Sequence, residues 1–160
     1  MKNKNKGFTL VELVISLAII AIVVSLSSTV AVVISKASYQ REFENECITE
    51  YESANSLIME FNNIYSTYQY TLTLVEEDVI KIEDASNEYL LGFDTATKTL
   101  SAQILNYETM EVDTKTITFK NISNIQFSNG TSEKIVKCVY VIDGFRNYTN
   151  LISFGVNWWL

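Results

Sequence analysis

Apolar residues are arranged in two different ways along the N-terminal part of the chain. From Leu13 to Ser35 there are 23 consecutive residues without a charge, enough to cross a hydrocarbon core of about 30 Å at about 1.5 Å per helical residue. After Lys36 the apolar positions recur every three or four residues, which indicates one face of a helix. They are Phe43, Cys47, Tyr51, Ala54, Ile58, Phe61, Tyr65 and Tyr68. The pattern predicts one long helix from Phe8 to about Ser66, apolar all round in its first half and amphipathic in its second.

The face of this helix opposite the apolar stripe is predicted to be acidic. It carries six glutamates, at Glu42, Glu44, Glu46, Glu50, Glu52 and Glu60. We therefore expect the apolar stripe to pack against a surface of the same chain.

Beyond the helix, short runs rich in Val, Ile, Thr and Tyr predict strands separated by turns. The predicted strands cover Tyr70–Val75, Val79–Glu83, Glu88–Phe93, Thr99–Tyr107, Val112–Lys120, a short segment marked by Ile122, Ile125 and Phe127, Ile135–Asp143 and Leu151–Trp158. Several short strands after one long helix predict an α+β fold, with an antiparallel sheet packed on the amphipathic half of the helix.

The residues that lead into the apolar run form a distinct stretch, Lys6-Gly7-Phe8-Thr9-Leu10-Val11-Glu12. Lysines occupy three of the first six positions, and a single acid, Glu12, stands at the start of the run. Placing a carboxylate in a membrane costs about 2.5–3.5 kcal/mol at the bilayer centre and less near the interface. Glu12 is therefore a functional candidate that needs a positively charged partner.

This order of basic leader, glycine, glutamate and apolar run resembles the type IV prepilin signal. In that family a membrane peptidase cuts after the glycine and methylates the new amino terminus. The resemblance implies cleavage between Gly7 and Phe8, N-methylation of Phe8 and a role for Glu12 in assembly. It also implies a pilin-like lollipop, in which a β-sheet head sits on the helix. The apolar run lacks the glycine and proline that many major pilins carry, which fits a minor pilin or pseudopilin at least as well.

The expected organisation is a cleaved leader at 1–7, a transmembrane and filament-core helix at 8–36, and an extracellular head at 37–160. The head would combine the amphipathic helix 37–66 with a sheet over 70–158. The lysines before the span favour a cytoplasmic leader and place the head outside. The resemblance implies as partners the membrane, prepilin peptidase, the pilus assembly platform and other pilin or pseudopilin subunits.

The expected function is that of a structural subunit of a type IV pilus, or of a related pseudopilus in a secretion or DNA-uptake machine. An alternative is a single-pass, membrane-anchored, β-rich binding protein that does not polymerise. A plain anchor would explain the length of the apolar run, but not Glu12 or the Gly7–Phe8 junction. An ordinary secretory signal has a shorter apolar core of about 7–15 residues.

Composition argues against other classes of function. The net charge is −7, and removing Lys2, Lys4 and Lys6 with the leader makes it −10, which disfavours binding to nucleic acid through phosphates. The chain has no histidine and no catalytic or nucleotide-binding motif, so we expect neither an enzyme nor a cofactor. The acidic stretches at 76–78 and 83–84 lack the spacing of a calcium loop, so no metal site is predicted.

The two cysteines, Cys47 and Cys138, lie 91 positions apart. Outside the cytoplasm they could form a disulfide, and closing so long a loop would stabilise the fold by about 4–5 kcal/mol in the chain-entropy model. The alternative is two buried thiols that pack as small apolar side chains. The sequence leaves both open.

Overall fold

The computed structural model describes residues 9–63, 71–76, 78–130 and 135–154. It divides into two compact units, Met1–Phe43 and Glu44–Leu160. One helix, α1, covers Leu10–Asn63 and runs through both. No glycine or proline occurs within α1, so none of the residues that most often break or kink a helix is present. The predicted long helix is thus confirmed, while positions 64–66, along with Tyr65 and Tyr68 of the predicted stripe, lie outside the described residues.

Five strands form the first sheet of the second unit. They are β1 (Thr71–Glu76), β2 (Val79–Glu83), β3 (Asn87–Asp94), β4 (Thr99–Asn106) and β5 (Val112–Thr118). Each strand pairs antiparallel with the next one along the chain, in the order β1-β2-β3-β4-β5. Side chains at alternate positions of β3 point into the core: Tyr89, Leu91 and Phe93 are 5% exposed or less. This is the period of two expected for a sheet with one covered face.

Three further strands form a second antiparallel sheet. They are β6 (Ile122–Asn129), β7 (Ile135–Ile142) and β8 (Tyr148–Ser153), paired in that order. The buried residues of β6 are Ile122, Ile125 and Phe127, so their spacing departs once from strict alternation. The pairing with β7 shifts between Ile122 and Asn124, and the irregularity restores the inward direction of Ile125.

The strand predictions are confirmed, and most strand ends fall within one residue of the predicted position. The strand predicted over Val112–Lys120 ends at Thr118, and the last strand begins at Tyr148 rather than Leu151. Residues 155–160, which include Trp158, lie outside the part of the chain that the structure describes, as does Tyr70. Where a single sheet was expected, the chain makes two. β5 ends at Thr118, opposite the first residue of β4, and the backbone N–H groups of residues 120–122 then bond to Glu50.

The apolar stripe of α1 packs into the core of the second unit. Cys47, Ala54, Leu57, Ile58 and Phe61 are 2% exposed or less. Phe43 and Tyr51 are half-buried. The predicted packing of the amphipathic helix on β-sheet is confirmed, and Leu57 joins the predicted stripe as an additional buried residue.

Candidate functional site

The first turn of α1 is closed by Thr9 and Glu12. One carboxylate oxygen of Glu12, Oε2, accepts hydrogen bonds from the Thr9 backbone N–H and from the Thr9 hydroxyl, both at 2.9 Å. The Glu12 backbone N–H donates to Thr9 Oγ1 at 3.3 Å. This reciprocal pattern is a capping box, which satisfies backbone donors that a helix start would otherwise leave unpaired. The Glu12 side chain is therefore turned back toward the start of the helix.

The part of α1 that follows presents an apolar surface on all sides. Within the first unit its Val, Leu and Ile side chains from Leu10 to Ile34 are between 53% and 81% exposed. By length and composition, α1 is the one helix in the described residues that could cross a membrane. Leaving so much apolar surface in water is unfavourable by about 25 cal/mol per Å². This segment therefore needs lipid or other apolar helices around it.

The hydroxyl side chains within the apolar segment are bonded to the helix itself. Ser16, Ser27, Ser28 and Thr29 each donate to the carbonyl four residues before, at 2.7–3.0 Å. Such bonds lower the cost of placing a hydroxyl in an apolar medium because the donor is satisfied within the helix. The hydroxyls are thus compatible with a membrane-spanning helix.

Residues 2–28 match the family described as the prokaryotic N-terminal methylation motif. The chain carries a type IV prepilin signal. The match supports a pilin-like or pseudopilin precursor that prepilin peptidase processes, and it fits a membrane-anchored protein. It also favours a structural subunit over an enzyme.

Gly7 and Phe8, the predicted cleavage and methylation residues, lie outside the described part of the chain. Glu12, the predicted assembly residue, is described, and Thr9 is the neighbour that holds it. No curated protein matches the chain. No solved structure matches it either.

A second polar centre, in the head unit, joins α1 to the start of β6. The carboxylate of Glu50 accepts hydrogen bonds from the backbone N–H groups of Lys120, Asn121 and Ile122 at 2.9–3.1 Å. The side-chain amide of Asn121, which is 8% exposed, donates to Glu50 Oε1 at 3.2 Å. Several N–H groups converging on one carboxylate make a strong, charge-assisted contact. This contact is where the chain leaves the first sheet and enters the second.

The predicted acidic face of α1 is largely exposed, at Glu42, Glu46, Glu52 and Glu60, but some of its glutamates contact the rest of the head. Glu50 is half-buried against 120–122, Glu46 pairs with Lys120 at 3.0 Å, and Glu60 pairs with Lys115. The sequence held a signal for Glu50, since Cys47, Glu50, Ala54, Leu57 and Phe61 alternate at intervals of three and four. That spacing places Glu50 on the packed side of the helix.

Polar side chains also bridge α1 and the second sheet within the core. The Tyr140 hydroxyl donates to Asn55 Oδ1 at 3.3 Å, and the Asn150 amide donates to Asn55 Oδ1 at 2.7 Å and to the Tyr51 hydroxyl at 3.0 Å. The Tyr51 ring stacks on Tyr148 with centroids 4.2 Å apart and meets the edge of Tyr140 at 5.0 Å. These contacts fix the position of the helix along β7 and β8.

Both cysteines are buried free thiols in the structure. Cys138 lies opposite Asn150 in the β7–β8 pairing, and Asn150 contacts Tyr51 and Asn55, one and two helical turns beyond Cys47. Burial raises the pKa of the Cys138 thiol to about 12. Burial, together with nearby glutamates, raises the pKa of the Cys47 thiol as well. The structure gives no support to a disulfide between them and shows two thiols packed as apolar side chains.

The acidic residues near β2 serve as local hydrogen-bond acceptors. Asp84 Oδ1 accepts from the N–H groups of Ser86 and Asn87, both at 2.8 Å, and Glu83 pairs with Lys81 at 2.8 Å. Among the residues with described positions, no group of three or more His, Cys, Asp or Glu is arranged to hold a metal ion.

Proposed function

We propose that this protein is a structural subunit of a type IV pilus or of a related pseudopilus. Residues 1–7 form the leader, 8–36 span the membrane and later pack in the filament, and 37–160 form the head outside the cytoplasm. Cleavage by prepilin peptidase between Gly7 and Phe8 yields a new amino terminus at Phe8, which is then methylated. The pilus assembly platform and sister subunits are the remaining partners.

Glu12 supplies the charge that guides assembly in this proposal. The Glu12 carboxylate of an incoming subunit meets the positive amino terminus at Phe8 of a subunit already in the filament. A carboxylate in a low-dielectric setting is costly unless an opposite charge compensates it, so the pairing favours one register over others. The capping box supports this role because Thr9 turns the Glu12 carboxylate toward the helix start.

The exposed apolar surface of α1 is the second feature that drives assembly in this proposal. In the membrane it is covered by lipid, and in the filament it is covered by the same segment of neighbouring copies. Lipid tails are as apolar as these side chains, so exchange between the two settings is governed by packing and by polar contacts. A single charged residue such as Glu12 can therefore affect assembly strongly, although it makes up only a small part of the helix surface.

The observation that carries the proposal is the match of residues 2–28 to the methylation motif, together with the exposed apolar helix that begins within this segment. The first test is the amino terminus of the mature protein. We expect assembled material to begin at N-methylated Phe8. An intact Met1 in filaments would contradict the proposal, and a chain that is never trimmed or assembled would instead indicate a membrane-anchored protein.

The second test concerns Glu12. The variant Glu12→Ala loses the pairing with the amino terminus of the neighbouring subunit. We expect this loss to cost at least about 1.4 kcal/mol, so the variant should enter filaments at least tenfold less than wild type. Glu52→Ala, which removes an exposed glutamate elsewhere on α1, is the matched control and should enter normally. Equal incorporation of the two variants would remove Glu12 from the mechanism.

A further inference from the structure

The strand β5 runs antiparallel to the part of α1 that lies in the head unit. Lys120, just after β5, pairs with Glu46, and Lys115, within β5, pairs with Glu60. The strand therefore passes from the last turns of the helix toward earlier ones. The β4–β5 turn, which precedes β5, lies beyond the level of Glu60, at the end of the head where α1 ends.

The strand β8 runs in the opposite direction, parallel to α1. Tyr148, its first residue, stacks on Tyr51 with ring centroids 4.2 Å apart, and the carbonyl of Ser153, its last residue, accepts a hydrogen bond from the Asn62 amide at 3.1 Å. The β7–β8 turn, which precedes β8, therefore lies before the level of Tyr51. The two turns are thus at opposite ends of the head.

The β4–β5 turn and its flanking residues, 107–112, present acidic and apolar side chains together, and we call this surface the acidic tip. Its large apolar side chains are 40% to 71% exposed: Tyr107, Met110 and Val112. Glu108 and Glu111 alternate with them along the chain and are also exposed. Neither carboxylate pairs with a cation in the part of the chain that the structure describes.

The backbone of the acidic tip is held by its own hydrogen bonds. Asn106 Oδ1 accepts from the N–H groups of Glu108 and Thr109 at 2.9 and 3.0 Å, and the Met110 N–H donates to the Asn106 carbonyl at 2.9 Å. Met110 has a φ of 56°, in the left-handed region that favours glycine or asparagine. A strained methionine whose side chain is exposed contributes little to the fold, so its presence here points to a contact with another molecule.

The β7–β8 turn, residues 143–148, offers the complementary chemistry, and we call it the arginine turn. The guanidinium carbon of Arg146 lies 5.5 Å from the centre of the Phe145 ring and 5.0 Å from that of Tyr148, and its Nε donates to the Tyr148 hydroxyl at 3.1 Å. Arg146 is exposed and forms no ion pair with any described residue. Its other N–H groups can bind a carboxylate of another molecule, and the rings beside it offer apolar contact.

We propose that copies of this chain stack head to tail, with the acidic tip of one copy on the arginine turn of the next. Glu108 and Glu111 then accept hydrogen bonds from Arg146, while Met110 packs on the ring of Phe145. This step rests on the proposed function, since it names the surfaces through which the heads of neighbouring subunits meet.

The partner is a second copy because the two surfaces match each other in charge and in apolar character. Like charges oppose a symmetric contact of either surface with its own copy. Two different surfaces at opposite ends of one head make a contact that does not close on itself, so each copy leaves one surface open for a further copy. This is the geometry of a filament and not of a dimer.

Disulfide crosslinking in assembled filaments tests the stacking. The full-length chain carries Thr109→Cys and Asn147→Cys together, at exposed residues whose side chains the proposed contact does not use. Because the two sites lie at opposite ends of one head, oxidation should join copies into a ladder of dimers, trimers and larger species on non-reducing gels. The matched control combines Thr109→Cys with Glu52→Cys, an exposed site on α1, and should give several times less of these species. Wild type reports the background from the buried Cys47 and Cys138.

Charge exchange tests the ion pair. Arg146→Glu should lower incorporation into filaments about two- to fivefold, the range expected for loss of an exposed ion pair. Adding Glu108→Lys and Glu111→Lys to the same chain should restore incorporation, because the pair is then present with its charges exchanged. Lys137→Glu, at an exposed site on β7, is the control: it should not lower incorporation, and it should not rescue the two lysine substitutions.

The outcomes separate the stacking from the proposed function. Trimmed filaments that give no ladder, a ladder equally strong in the Glu52→Cys control, or a triple variant that enters filaments no better than Arg146→Glu would overturn the stacking and leave the proposed function standing. Absence of any trimmed, assembled chain would overturn both.

Discussion

Glu50 on α1 accepts two hydrogen bonds from Asn121, one from its backbone N–H at 2.9 Å and one from its side-chain amide at 3.2 Å. Asn121 is buried, and the N–H groups on either side of it bond to the same carboxylate. One glutamate of the helix therefore accepts three backbone N–H groups at the point where the chain passes from the first sheet to the second.

Glu50→Gln should destabilise the head. The amide keeps one oxygen acceptor but loses the charge, and its NH₂ group faces backbone N–H donors that can no longer be satisfied. We expect a loss of about 1–3 kcal/mol in the free energy of unfolding, measured by urea denaturation of the full chain in detergent micelles. Glu52→Gln, on the exposed side of the same helix, should change it by less than about 0.5 kcal/mol. Similar values for the two variants would contradict the assigned role of Glu50.

Thr9→Val should loosen the first turn of α1. Valine has nearly the same shape as threonine and keeps the backbone N–H bond to the Glu12 carboxylate, but it loses the hydroxyl bond to that carboxylate and the acceptor for the Glu12 N–H. Loss of an N-cap costs about 0.5–2 kcal/mol. Amide hydrogen exchange in the first turn of the full chain should become faster. Thr9→Ser keeps the hydroxyl and should behave like wild type. If the amides of the first turn exchange at the same rate in the Thr9→Val and Thr9→Ser variants, the capping box does not stabilise this turn.

The Cys138 thiol should make the head sensitive to alkaline pH. Its pKa is raised to about 12 by burial, against about 8.5 in an unfolded chain. The folded state thus holds a proton that the unfolded state loses, so stability is constant below about pH 8.5 and falls between there and about pH 12. Cys138→Val removes this group, and its unfolding free energy should decline less over that range than that of wild type.

Alkylation gives a direct check on the same thiols. Both cysteines should resist iodoacetamide in the folded chain near pH 8 and should react after denaturation, because a buried neutral thiol is a poor nucleophile. Intact mass under non-reducing conditions gives the bonding state at the same time. A mass lower by two hydrogen atoms would show that the two thiols have been oxidised to a disulfide.

Lys98→Met should release a contact between the two sheets. Lys98 follows the β3–β4 turn with φ of 53°, and its Nζ lies 3.0 Å from Asp143 Oδ2 and 3.2 Å from the Lys120 carbonyl. The hydrogen bond from Lys98 holds the pKa of the Asp143 carboxyl below its usual value. The stabilisation is therefore present above about pH 3.9 and is lost as the pH falls through the lower, folded-state pKa.

In the Lys98→Met variant the pKa of Asp143, followed by NMR on the carboxyl carbon, should rise toward its usual value. The free energy of unfolding at pH 7 should fall by less than about 1 kcal/mol, since the pair is exposed. A pKa of Asp143 that does not move would show that another group holds it.

Much of the fold follows from periodicity alone. The length of the uncharged run predicts a membrane-spanning helix. The stripe through Ala54 and Phe61 repeats every three or four residues, which predicts an amphipathic helix, and the alternation in β3 and β7 predicts strands with one buried face. The boundary between the two sheets could not be predicted in this way. Ile117 and Phe119 continue the alternation of β5, but Thr118 pairs with Thr99, the first residue of β4, so the ladder ends there. The N–H groups of residues 120–122 then bond to a distant carboxylate, that of Glu50, which no local pattern predicts.

Of the candidate site residues, Glu12 could be predicted from the sequence and Glu50 could not. Glu12 stands out because a charge at the edge of an apolar run is rare and costly. Glu50 is one acid among six on a helix, and only its position in the three-four spacing separates it from Glu52. The partner of Thr9 is local and predictable as a capping box, whereas the partners of Glu50, Asn55 and Tyr51 lie more than 70 residues away along the chain.

The polar bridges from Tyr51, Asn55 and Asn62 to the second sheet all lie along one side of α1. A tensile load along the helix axis within the head would strain these bonds in shear, so that they share the load instead of opening one after another. Moving the helix by a single turn would break the hydrogen bonds of the amides of Asn55, Asn62 and Asn150 and of the hydroxyls of Tyr51 and Tyr140. The head is thus built to resist sliding more strongly than peeling, which suits the proposed filament subunit, whose helix would carry load along its axis.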